Sequence, residues 1–173
     1  RLSLVGSEMC IRDSQWADDI AIFCSTLSIQ SPVVFGQSFG GMVAMHYAVR
    51  HPGGISKLIL SSTAAQFRLD ETMKMMRKLG GPRAADVACE FFSNPSKAAY
   101  ETYGQVCLPL YSNPNVPAAG AFRDRAIERP EVAFHFFSDE MAQMDMRAEI
   151  ANITCPTLVL SLIHISEPTR LRR

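Results

Sequence analysis

The sequence predicts an α/β fold: parallel strands with flanking helices and an inserted helical segment. Three observations carry that prediction. Two short, wholly apolar runs, Val33-Val34-Phe35 and Leu58-Ile59-Leu60, are separated by a helical pattern. Runs of β-branched and aromatic residues without alternation are expected of strands buried on both faces. A third such run, Thr157–Leu160, follows Cys155-Pro156, and the stretch 64–154 before it is too long for a loop and mostly helical in pattern.

Taken in order, Gln15 to Ile29 reads as an amphipathic helix, with Trp16, Ile20, Phe23, Cys24 and Leu27 at helical spacing and Ser14 placed to cap it. Ser31-Pro32 ends that helix before the first strand. Gly36 to Gly41 is a turn, and Met42 to Arg50 a helix with Met42, Met45, Ala48 and Val49 on one face. His51-Pro52-Gly53-Gly54 stops it, and Lys57 to Ser61 is the second strand. Strand, helix, strand at this spacing is a βαβ unit, expected to be parallel with a right-handed crossover. Within 64–154 the helical stretches are Glu71–Leu79, Ala84–Phe92, Lys97–Cys107, Ala118–Ile127 and Val132–Met146. Gly80-Gly81-Pro82, Asn94-Pro95, Asn113-Pro114-Asn115 and Arg129-Pro130 punctuate them.

Composition narrows the function. The chain has 173 residues, 17 basic and 17 acidic, so no net charge directs it to nucleic acid or an anionic surface. No apolar run reaches the ~18 residues of a membrane span. The five cysteines are odd in number, scattered and without a C-x-x-C pair, which argues for reduced thiols in a cytoplasmic protein and against a zinc site. Met73, Met75, Met76, Met141, Met144 and Met146 have no His or Cys beside them at ligand spacing, so no metal is expected. No cofactor is expected either, because the glycine-rich turn lacks both the Lys-Ser/Thr of a P-loop and a G-x-G-x-x-G. No signal peptide is visible. Residues 1–14 and 161–173 have no clear periodicity. Their "SEMCIRDS" and "LIHISEPTR" resemble translated sequencing-adapter read-through, so both tails are expected to be foreign to the native protein.

The chemistry centres on Gly36-Gln37-Ser38-Phe39-Gly40, a G-x-S-x-G after an apolar strand and before an apolar-faced helix. A nucleophile at such a junction sits in a sharp turn, and small residues two before and two after it avoid clashes. Its hydroxyl projects beyond the strand, and the next backbone N–H points at the attacked carbonyl, aided by the positive end of the helix dipole.

From Pro32 to Thr63 the sequence resembles the nucleophile elbow and following strand of the α/β-hydrolase superfamily. The resemblance extends over about 15–160, with 15–63 and 155–160 as a partial α/β-hydrolase core and 64–154 as an inserted helical cap. "GQSFGGM", "HP", "LILSST" and "VCLPLYS" are similar to proline iminopeptidase-like capped hydrolases. The resemblance implies Ser38 as nucleophile, Phe39 as donor of one oxyanion-hole N–H, and Gly36 and Gly40 as elbow glycines. It implies a serine hydrolase of ester or amide bonds on a small-molecule or peptide substrate, including N-terminal proline release. The alternatives are a carboxylesterase or lactonase, and a non-catalytic binding protein of the same fold. An Asp nucleophile, as in epoxide hydrolases and dehalogenases, is disfavoured by Ser38.

The family's acid and histidine follow its next strand, where this chain carries the suspect tail, and its second oxyanion donor lies upstream of Gln15. His46 is eight residues beyond Ser38, roughly 12 Å along a helix axis and too far to serve as base. His51 is further away, His135 reads as a packed helix residue, and His164 lies in the tail. The resemblance to iminopeptidase-like hydrolases implies acids in the cap that bind a substrate amine; Glu131, Asp139 and Glu140 are the candidates for that role, and solvated helix faces explain them equally well. As written, the chain is therefore expected to turn over little or no substrate. Lacking neighbours for its sheet, it is expected to be poorly soluble or molten.

Overall fold

Three parallel strands lie in the order β1 (Val33–Gln37), β2 (Lys57–Ser61), β3 (Thr157–Leu160). Val33 faces Lys57 across the first pair, Gly36 faces Leu60, and Ser61 faces Leu160 across the second. The computed structural model describes residues 13–111 and 130–160, so the tails and the expected helix 118–127 lie outside the described residues. The chain divides into two compact units. One comprises 13–66 with 145–160, the other 67–111 with 130–144.

In the first unit, α1 (Asp13–Thr26) leads to β1, and α2 (Phe39–Arg50) joins β1 to β2. The first helix starts before Ser14, which lies inside it rather than capping it, and it ends three residues before the expected Ile29. The second helix packs on β1 and β2, and α1 packs on α2. Gly41 to Met45, Tyr47 and Ala48 are all buried, as are Leu58 and Leu60 of β2 on the covered face. Side chains alternate along a strand. Val33, Phe35, Leu158 and Leu160 therefore point to the other face, where they are 44–58% exposed. Burial on both faces, expected from apolarity, thus fails for β1 and β3: α2 packs on one side of β1 and β2, and all four residues of β3 are exposed, Val159 on the same side as Leu60 included. The apolar face of α1 is likewise covered in part. Ala17 is fully buried, but Phe23 and Leu27 stay exposed.

Polar contacts close the unit. Arg50 donates to Asp18 from Nε at 3.1 Å and Nη2 at 2.8 Å, and His51 Nε2 lies 2.8 Å from the same carboxylate. These bonds, Arg50 first, hold the Asp18 carboxyl below the usual carboxylate range. They lie at the surface and act chiefly to register α1 on the end of α2. The Tyr47 hydroxyl, fully buried, donates to the Gly54 carbonyl at 2.9 Å and fixes the turn into β2. The chain leaves and re-enters the unit side by side, where Gln66 bridges Asp145 and Met146 N donates to Ala65 O at 2.8 Å.

The second unit is helical. Its first helix, α3 (Leu69–Ser93), is two helices joined at Gly81, whose φ of 76° only glycine adopts freely. Pro82 disfavours helical backbone in the residue before it, so Gly80-Gly81-Pro82 breaks the helix where expected. Next, α4 (Lys97–Val106) begins at Ser96, whose Oγ accepts from Ala99 N at 3.1 Å. In place of one helix over 132–146, α5 (Pro130–His135) runs into a π turn, Phe136–Glu140, and a last turn to Gln143.

The core of this unit is built from Met76, Ala84, Ala85, Ala88, Phe91, Ala99, Tyr103 and Cys107. The Phe91 ring is its centre, 4.6 Å from Tyr103 and 4.8 Å from Phe137. Small alanines let α3 and α4 approach, and the aromatic rings fill the gap with tilted and edge contacts. Burial pushes the Tyr103 phenol far up, reinforced by its 2.7 Å bond to the Tyr111 hydroxyl. Most of the aromatics in this segment are therefore packing residues. Phe122 lies outside the described residues.

Two predictions follow from this packing. Phe91→Ala empties the centre of the helical core and should cost about 3–5 kcal/mol in chemical denaturation of that unit. The open sheet face should drive self-association of the isolated chain, read by gel filtration and dye binding. Phe35→Lys with Leu158→Lys should raise the monomer fraction, and a sharply melting wild-type monomer would contradict the expectation.

Candidate active site

Ser38 stands between the last residue of β1 and the first of α2, with its side chain in an exposed position. Its φ of 50° and ψ of −123° are costly for a residue with a Cβ, on the order of 1–3 kcal/mol. The surroundings hold it there. Ser38 N donates to Ser61 O at 3.0 Å, continuing the sheet ladder one step past the strand. Ser38 O accepts from Gly41 N at 2.9 Å and Met42 N at 3.4 Å, starting α2, and from the Thr63 hydroxyl at 2.7 Å.

The glycines divide the steric work unequally. A Cβ on Gly36 would lie 2.4 Å from Gly40 O, 2.6 Å from Gly41 Cα and 2.8 Å from Ala44 Cβ. Backbone and a short side chain cannot move aside, so only glycine fits. At Gly40, apart from its chain neighbours and the adjoining backbone of α2, nothing among the described residues lies within 4 Å of such an atom. The crowding expected there occurs one residue later: a Cβ on Gly41 would meet Thr63 Cβ and Cγ2 at 2.5 Å. Gly41 and Thr63 were not among the residues singled out by sequence. The signals for them are the second glycine of Gly40-Gly41 and the hydroxyl-rich Ser61-Ser62-Thr63 at the end of β2.

Phe39 begins α2, and its ring meets that of Trp16 edge-on with centroids 4.7 Å apart. The side chain is thus anchored on α1, while its backbone N–H belongs to the first turn of α2, whose dipole favours negative charge at this end. Ser38, Phe39, Gly36 and Gly40 therefore come together at one junction. The histidines do not join them. His51 is engaged with Asp18 at the far end of α2, His46 lies two turns along α2 from Ser38, and His135 belongs to the helical unit. In that unit Glu131 is exposed and Glu140 half-buried. No group of three or more metal-ligating side chains occurs among the described residues, and none of the described helices is long and apolar enough to cross a membrane.

This geometry yields a paired expectation. Gly36→Ala should destabilise the first unit by about 1–3 kcal/mol or more, since the added atom overpacks against backbone. Gly40→Ala should be neutral or slightly stabilising, because the site is open and alanine favours helix over glycine by about 1 kcal/mol. Thermal or urea unfolding of the two variants measures both.

Comparison with known proteins agrees with the geometry. Residues 10–160 match the sequence profile described as alpha/beta hydrolase fold. The AB hydrolase superfamily protein YisY of Bacillus subtilis is 26% identical over 157 residues, which are 78% of this chain and 59% of that protein. The enol-lactonase of Burkholderia xenovorans superposes with a TM-score of 0.53 at 20% identity, over 90% of this chain and 56% of that one. A proline iminopeptidase of Mycobacterium smegmatis gives 0.51 at 18% identity, over 88% and 57%. The chain thus spans a little over half the length of these relatives. With the profile matched over most of its residues, and a serine held in a strained turn between a parallel strand and a helix, the chain belongs to the α/β-hydrolase family.

Proposed function

We propose that the chain is the nucleophile-bearing part of a serine hydrolase that cleaves ester or amide bonds through an acyl-enzyme. One observation carries the reading: Ser38 is exposed at the strand-to-helix junction in a conformation that costs energy.

In this reading Ser38 Oγ bonds to the acyl carbon and its proton passes to a general base. The carbonyl oxygen becomes an oxyanion, received by the Phe39 N–H at the start of α2. Collapse breaks the bond to the leaving alcohol or amine, which takes the proton. Water then attacks the acyl-enzyme, releasing the acid and restoring Ser38. The family's order places the acid and histidine after β3, beyond the described residues. The substrates proposed are small esters or lactones and, by resemblance of the elbow segment, an N-terminal prolyl amide. The inserted helical unit would act as the cap, and its small-molecule or peptide substrate needs no cofactor. Odd, scattered cysteines fit a cytoplasmic place.

Labelling of the full-length protein, which carries the family's acid and histidine in this reading, with a fluorophosphonate, followed by peptide mapping, tests the assignment. Ser38 is expected to carry the phosphonyl group, and Ser38→Ala to abolish it. A folded protein that leaves Ser38 unlabelled would overturn the reading.

A further inference from the structure

The bond from the Thr63 hydroxyl to the Ser38 carbonyl has a consequence at the other end of the same peptide group. The Ser38–Phe39 peptide is planar, and the described residues contain no cis bond, so its C=O and N–H point in opposite directions. The C=O is the acceptor that Thr63 Oγ1 reaches at 2.7 Å. The N–H is that of Phe39. Whatever fixes the direction of the carbonyl therefore fixes the direction of the N–H.

We infer that Thr63 is a positioning residue, which aims and strengthens the Phe39 N–H for an oxyanion formed at Ser38. The inference rests on the reading of Ser38 as nucleophile. Two helical amides, Gly41 N and Met42 N, already bind the Ser38 carbonyl along the axis of α2, the second at a long 3.4 Å. Thr63 adds a shorter bond from the end of β2, so the peptide is held by the sheet as well as by the helix. A hydrogen bond to the carbonyl also polarises the amide and makes its N–H a better donor. Space for this contact is built in, since any side chain at Gly41 would collide with Thr63 at 2.5 Å. The ladder bond from Ser38 N to Ser61 O, two residues before Thr63, keeps the two segments in register.

Thr63→Val keeps the shape and removes the hydroxyl, and Thr63→Ser keeps the hydroxyl. Both are compared with wild type, in the full-length protein that carries the acid and histidine, by the rate of fluorophosphonate labelling at Ser38, resolved into probe affinity and maximal labelling rate. Loss of a whole oxyanion donor costs about a hundredfold or more, so a misaimed donor should cost about tenfold. The expected result is a maximal rate about tenfold lower in Thr63→Val, probe affinity within about twofold, and recovery in Thr63→Ser. Wild-type rates in Thr63→Val would overturn the inference and leave Ser38 as nucleophile. Absence of labelling in folded wild type would remove both. Should Thr63→Val not fold, Thr63→Ala takes its place, and failure of both to fold would assign Thr63 to stability alone and overturn the inference.

Discussion

The closeness of α2 to β1 at residue 36 is the constraint on which the site depends. The missing Cβ there lets the first turn of α2 lie against the strand. If the helix stood further off, Ser38 would not have to turn through a positive φ to join the two. Its carbonyl would also lose its place at the head of α2, and Thr63 would no longer reach it at 2.7 Å. Strain at Ser38 and close packing at Gly36 are thus one feature seen from two sides. The strain persists because bonds to both sheet and helix over-determine the backbone.

The two compact units answer to different physics. The first is ordered by a parallel ladder and a helix buried through its middle, from Gly41 to Met45 and at Tyr47 and Ala48, with Tyr47 and Gly54 closing its turn. The second has no sheet. It is ordered by an aromatic cluster between alanine-rich helix faces, and its polar devices are local: the Ser96 cap, the Tyr103–Tyr111 bond and the glycine break at 81. A parallel ladder transmits position from strand to strand through backbone bonds, whereas a cluster of rings fixes helices by side-chain packing. The first arrangement suits a group that must hold one orientation.

Much of the fold was legible because its signals are local. Val33-Val34-Phe35, Leu58-Ile59-Leu60 and Thr157–Leu160 became strands, and Gly80-Gly81-Pro82 broke a helix, since each depends on residues adjacent in sequence. What covers a strand is not local. Apolarity at Phe35 and Leu158 indicates what would favour burial, and only the tertiary packing, α2 on the other face of β1 and β2 and β3 left open, reveals that these side chains stay exposed. The π turn at Phe136–Glu140 was invisible for a related reason. It shifts the helical phase locally, and a pattern of Phe134, Phe136 and Phe137 fits either phase.

The site divides along the same line. G-x-S-x-G located Ser38, Phe39, Gly36 and Gly40 because the elbow is a five-residue device. The steric role expected at Gly40 is met instead at Gly41, because the crowding atom comes from Thr63, some twenty residues later in the chain and adjacent only through the β1–β2 register. Once Gln37 is known to face Ser61, the residues just past each strand must lie side by side, and the hydroxyl at 63 falls beside the carbonyl at 38. A local motif can thus name the proposed nucleophile, while the hydroxyl proposed to orient the neighbouring amide emerges only when two strands are paired.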